Sequence, residues 1–265
     1  FAIVVRVNFS FLLLTAFLTG LFLAWLGAVK LAPVWRDNRW RGKKVVGVAA
    51  TIALILSLIG GAWLTGRLIA GAHLASGTKA FYVERNLATA LPALAASAAR
   101  APLSRAYRMM TEVNLAALQD LLAEPGQTAE TVRFRFQELA SSAVSNARLA
   151  TERDPEDYRN FLTLGAVYRA LLPLGFPEAN NLAEKAYQTA SALAPHLPTI
   201  YLERARLALV RKDSVAAGQW LTSALAEKPD SSQLWYELGW LRYQEGENDE
   251  AITALSRALA IDPYF

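Results

Sequence analysis

Cysteine is absent from the 265 residues, which excludes disulfides and thiolate metal sites and leaves packing alone to hold the fold. Histidine is almost absent too. His73 and His196 lie far apart, and neither sits beside a nucleophile or a metal-ligating set. No glycine-rich phosphate loop, His-Glu-x-x-His helix or calcium loop is present. The chain therefore carries no catalytic signature, and it calls for no cofactor and no metal. The acidic run Glu152 to Asp157 reads as helix capping, because helix ends want the same residues that a cation site would use.

Charge is missing where apolar residues are densest. Residues 7–29 and 45–66 hold no charged side chain, and each run is long enough, at about 1.5 Å per residue, to cross a ~30 Å hydrocarbon core as a helix. Two transmembrane helices are expected there. A signal peptide has a shorter apolar run, and a soluble hairpin would show a polar stripe. The loop between them, residues 30–44, holds Lys30, Arg36, Arg39, Arg41, Lys43 and Lys44 against the single acid Asp37. The positive-inside rule puts that loop in the cytoplasm and the remaining ~200 residues outside it. The expected location is thus integral to the cytoplasmic membrane, with the bilayer as one partner.

Net charge splits the same way. Residues 1–66 contribute +6 and residues 67–265 contribute −2 to the total of +4. The near-neutral larger part shows no electrostatic footprint for nucleic acid, so that class of partner is not expected.

What the larger part does have is a period. Pro263, Pro229, Pro195, Pro155 and Pro102 are spaced by 34, 34, 40 and 53 residues. Ahead of each stands a triplet at helical spacing: Ala251, Leu255, Ala258; Ala217, Leu221, Ala224; Ala183, Tyr187, Ala190; Ala143, Ala147, Ala150; Ala90, Leu94, Ser97. Small residues let paired helices approach, and the proline ends the second helix. The earliest copy is the weakest, with Ser97 in place of alanine and Pro92 where it would kink a helix.

This pattern resembles the tetratricopeptide repeat, a 34-residue helix-turn-helix unit. In residues 232–265 the residues Trp235, Leu238, Gly239, Gly246, Ala251, Leu255, Ala258 and Pro263 fall on it. Residues 158–197 match with Phe161, Leu164, Gly165, Tyr168, Ala183, Tyr187, Ala190 and Pro195, plus six extra residues around "LLPLGFPEANN". In residues 198–231, Arg204 replaces the usual leucine and Lys212 the turn glycine, which weakens the first helix of that copy. The expected architecture is all-α: two transmembrane helices in residues 1–66, a degenerate repeat-like region in 67–157, and an α-solenoid of three units at 158–197, 198–231 and 232–265. With no glycine-serine linker after Gly66, the array should sit close to the bilayer, although "GAHLASGT" offers a bend.

The resemblance implies an inner surface lined by the first helix of each unit and a protein or peptide partner held in it. The positions it assigns to that groove include Arg169, Arg206, Tyr236, Trp240 and Tyr243, whose planar guanidinium and aromatic faces suit an extended peptide or a sugar-bearing ligand. An alternative for the aromatic trio is packing beneath a further repeat. The lysine and asparagine pattern by which some relatives clamp a chaperone's terminal carboxylate is missing.

The order of spans, degenerate array and repeat unit also resembles the C-terminal part of bacterial O-antigen ligase-like polytopic membrane proteins. In that superfamily an upstream external loop carrying arginine and histidine transfers glycans. Such a loop is not in this sequence, so no catalytic residue follows from the resemblance. Two functions are expected as alternatives: an envelope-facing interaction scaffold cut from a larger protein, or the tail of a glycan-transferring enzyme.

Overall fold

The computed structural model describes residues 40–123, 128–176 and 178–264. The first expected span and most of the basic loop lie outside the described residues. The rest is helical, and no strand occurs among the described residues.

The first helix, α1 (Trp40–Tyr82), runs unbroken for 43 residues. It contains the whole second expected span and continues past residue 66 into the array. Among the described residues one stretch, Ile55–Tyr82, is long and apolar enough to cross a membrane, against the two expected from the sequence. From Ile55 to Gly60 every position is exposed, so no side of the helix is covered over more than a full turn. Downstream the surroundings change. Ala70, Gly77 and Ala80 are buried against α2 (Leu87–Arg100). The stretch offered as a bend, residues 71–78, is helical throughout, and Gly77 lies where α2 packs closest. A Cβ there would stand 2.7 Å from Leu94 Cγ.

The chain continues as α3 (Ser104–Ala123), α4 (Ala129–Arg153), α5 (Tyr158–Leu171), a single 3-10 turn (Leu172–Leu174), α6 (Ala179–Leu193), α7 (Pro198–Val210), α8 (Ser214–Glu227), α9 (Ser232–Glu245) and α10 (Asn248–Ile261). Each odd-numbered helix packs most extensively on the even-numbered helix that follows, and each pair stacks on the next. Among the described residues five hairpins thus form one array, with α1 serving as the first helix of the first pair.

The alanine triplets make this stacking close. Fourteen of their fifteen members are buried, with Leu255 half-buried. Ser97, the apparent weak copy, is fully buried and donates its hydroxyl to the Ala70 carbonyl at 2.8 Å. A buried hydroxyl with a partner avoids the desolvation cost that makes serine a poor core residue. Pro92 does not end α2, which continues across it. Opposite the middle residue of three triplets stands a glycine: Gly77 faces Leu94, Gly165 faces the Tyr187 ring, and Gly239 faces Leu255 at 2.8 Å from a built Cβ.

Helix starts are capped by side chains. Thr128, Asp157, Asp213 and Ser231 accept from backbone N–H groups two or three residues on. The copy with the poorest consensus still forms a full helix, α7. Arg204 lies over the Trp220 ring at 3.8 Å from its centroid and pairs with Glu184 of α6, so stacking replaces the expected leucine contact. Lys212 takes the turn with φ 59°, the left-handed conformation that Gly246 adopts with φ 84° one repeat later.

Candidate functional site

The predicted groove residues come from α5, α7 and α9, the first helices of the last three pairs. Arg169 on α5 donates to Glu203 of α7 at 3.1 Å and to the Tyr187 hydroxyl at 3.4 Å, and that hydroxyl donates in turn to Glu203. Arg206 donates to the other oxygen of Glu203 at 2.9 Å and to Glu237 of α9 at 2.7 Å. The result is a continuous ladder, Arg169, Glu203, Arg206, Glu237, crossing three helix pairs. Two cations and two anions alternate along it, so the ladder is electrically neutral.

Local electrostatics keep these groups in the states the ladder needs. Burial disfavours the charge on Arg169, but the Glu203 carboxylate and the Tyr187 hydroxyl together outweigh it and push its pKa above the ordinary value. Arg206 is raised in the same way, with Glu237 and Glu203 overcoming desolvation. Burial, joined by the neighbouring Glu203 charge, pushes the Tyr187 phenol up and keeps it a donor.

A second polar cluster binds the second pair to the third. Arg108, almost fully buried on α3, donates to Asp157 at 3.0 Å and to Asn160 Oδ1 at 2.7 Å. Asn160 Nδ2 donates to the Ala150 and Asp154 carbonyls at the end of α4. Desolvation works against the Asp157 charge, but hydrogen bonds from Arg159, backbone and side chain, and from Arg108 hold its carboxyl below the usual range. The acidic run is therefore used for capping and for this clasp.

Beyond Glu237 the ladder ends and an aromatic surface begins. Tyr236, Trp240 and Tyr243 lie at helical spacing on α9 and are 41%, 46% and 57% exposed. The Trp240 and Tyr243 rings are 5.6 Å apart between centroids.

Residues 180–232 and 211–263 match tetratricopeptide repeat family models. Residues 180–263 are thus similar to tetratricopeptide repeats. Similar solved structures include a thermophilic TPR protein of Thermus thermophilus, at 18% identity and a TM-score of 0.59, covering 74% of this chain and 92% of that one. MamA of Desulfovibrio magneticus RS-1, from residue 41 to its end, gives 15% identity and a TM-score of 0.50, covering 73% of this chain and 95% of that one. These likenesses speak for the fold, and the covered share goes well beyond the third of the chain between residues 180 and 263. No curated protein matches the chain.

In tetratricopeptide terms the inner face has two parts. Arg169 and Arg206, expected on the groove for their planar guanidinium faces, are tied into the ladder, while the aromatic trio is exposed. Sequence reading missed Glu203 and Glu237. They stand 34 residues apart, the repeat length, and that shared register is the signal that marks them. The aromatic opening each unit also has a recurring role: Tyr201 donates to the Pro195 carbonyl and Trp235 to the Pro229 carbonyl, both at 2.8 Å. Phe161 cannot do this, and Asn160 bonds the preceding turn instead.

The six-residue insertion shapes a surface of its own. The 3-10 turn and Gly175, with φ 83°, carry Phe176 outward, opening an apolar groove of about 1000 Å³ between α4 and α6. Phe136, Val144, Tyr168, Phe176 and Leu182 line it, and Arg148 and Glu152 stand among its polar residues. Nothing in the motif predicts a cavity there, because its width depends on how far the insertion displaces α6. His196 is exposed, with its Nδ1 at 3.1 Å from a Glu227 carboxylate oxygen.

Proposed function

We propose that this chain is a membrane-anchored scaffold whose repeats hold a protein segment on their inner face, at Tyr236, Trp240 and Tyr243. The observation that carries this reading is the contrast along that face. Upstream the polar groups satisfy one another, and at α9 three large aromatic surfaces are exposed together. Aromatic side chains give large contact area at low entropic cost, and they are enriched where protein interfaces concentrate their energy. The all-round apolar exposure of α1 between Ile55 and Gly60 supports the anchor. The basic loop supports a placement of the repeats outside the cytoplasm.

A photo-crosslinking residue at position 243 tests the binding face, with one at position 215 as the control. Val215 is 70% exposed at the start of α8, a second helix. In native membranes a discrete adduct is expected from 243, absent from 215 and lost on Trp240→Ala. The same adduct pattern from both positions would contradict the reading. The O-antigen ligase-like alternative, in which the repeats position substrate for an upstream glycan-transferring part, rests on the order of spans and repeats. Reading the coding sequence upstream of Phe1 tests it: further spans and an external loop with arginine and histidine support the enzyme, and a start codon just upstream removes it.

A further inference from the structure

We propose that Trp63, Arg67 and Arg100 form a headgroup contact that seats the first helix pair on an anionic lipid surface, an inference that rests on the membrane reading of α1. It begins with where the exposed apolar surface stops. Ile55, Leu56, Leu58, Ile59 and Trp63 are all about half exposed or more, whereas Ala70 is fully buried. Between these limits the Arg67 guanidinium lies over the Trp63 ring, 4.9 Å from its centroid. An amphipathic indole with a cation folded over it suits the boundary between hydrocarbon and headgroups. The other end of the crossing fits as well. Trp40 opens the helix 23 positions before Trp63, which is about 35 Å at 1.5 Å per residue, against ~30 Å of hydrocarbon and ~40–45 Å including headgroups.

Arg100 reaches the same level through the packing of α2. Ser97 donates to the Ala70 carbonyl at 2.8 Å, which fixes the two antiparallel helices in register. Three residues further along α2 is Arg100, and three residues back along α1 is Arg67. Arg67 and Arg100 therefore branch from their helices at similar heights, at the end of the pair that faces the apolar part of α1. Arg100 is exposed, and among the described residues it donates to the Ala96 carbonyl on the preceding turn, at 3.3 Å.

Charge points to phosphate as the ligand. Residues 38–83 and 85–111 contain no aspartate or glutamate. Glu84, the acid between them, lies at the opposite end of the pair and is bound to Lys79 at 2.9 Å. At the turn after the second pair, Asp154 faces Ser104 and Asp157 is held by Arg108 and Arg159. Two arginines that branch from carboxylate-free segments near the same end of the pair match the phosphates of acidic lipids, and such a contact is salt-sensitive.

The absence of cysteine makes the test clean. The full chain carrying Ala99→Cys, labelled with an environment-sensitive dye, is reconstituted into vesicles of phosphatidylcholine with or without phosphatidylglycerol, containing a headgroup-attached quencher. Quenching is expected to be stronger with phosphatidylglycerol and to weaken in 1 M salt. Arg67→Gln with Arg100→Gln should lower the ratio of docked to undocked protein by about five-fold per arginine, while lysine at both positions restores it. Equal quenching in both lipids, unchanged by the glutamine pair, would overturn the headgroup contact while the chain still floats with the vesicles. Failure to float with vesicles at alkaline pH would overturn the membrane reading itself, and this contact with it.

Discussion

The guanidinium of Arg206 donates to Glu237 across a repeat boundary at 2.7 Å while its other arm holds Glu203 of its own helix. This one side chain couples two repeats whose backbones are joined only by the short turn before α9. Arg206 and Glu237 are partly screened by solvent, with 32% and 21% of their side chains exposed. A double-mutant cycle of Arg206→Ala and Glu237→Ala, read by urea denaturation, should therefore give a coupling energy of about 1 kcal/mol, not the several expected of a dry pair. A coupling near zero would mean that water replaces the ladder at no cost.

Backbone strain at Lys212 gives a prediction of opposite sign. Its φ of 59° costs a side chain energy that glycine avoids. Lys212→Gly should raise stability by up to about 1 kcal/mol, and Gly246→Ala, at the equivalent turn, should lower it by a similar amount. Urea midpoints of the two variants check both.

Close approach separates glycines that look alike in sequence. A Cβ on Gly239 would meet Leu255 Cγ at 2.8 Å and its backbone nitrogen at 3.1 Å, and one on Gly77 would also meet the Ala90 carbonyl at 3.1 Å. Alanine at either should cost about 1 to 3 kcal/mol through overpacking. Gly71→Ala, with nothing within 4 Å of the new methyl, should be neutral or slightly stabilising through helix propensity. Melting temperatures of the three variants distinguish the positions.

The Asp157 clasp predicts a pH dependence. Its carboxyl is held below the ordinary range in the folded protein, so its contribution is present in full above the unfolded carboxylate pKa of about 4 and is lost as pH falls through the lower folded value. The stability difference between the native chain and Asp157→Asn should be constant near neutrality and shrink below about pH 4. A difference unaffected by acid would assign the clasp to shape and not to charge.

These contrasts define what the sequence made legible. The alanine triplets and their prolines located the second helices, because small residues at helical spacing report a close helix contact directly. The degenerate region expected at 67–157 holds α2, α3 and α4. The ladder was hidden, since Arg169 and Glu203 meet only after two helices from different repeats take their mutual angle. Gly77 was hidden by its neighbours: within "HLASGT" it reads as a hinge, and only the position of Leu94 shows that it marks a tight contact inside a straight helix. The groove beside Phe176 depends on the path of an insertion, which no repeat pattern encodes.

Thiol labelling along α1 tests the joining of membrane and repeats in one helix. Ile59 and Ala75 are both exposed among the described residues, so burial against the repeats does not make them differ. In intact cells carrying Ile59→Cys or Ala75→Cys, a membrane-impermeant maleimide should label position 75 and leave position 59 unmodified until detergent is added. Equal labelling of both before detergent would contradict a bilayer around the upstream half of α1, and with it the anchored scaffold proposed for this chain.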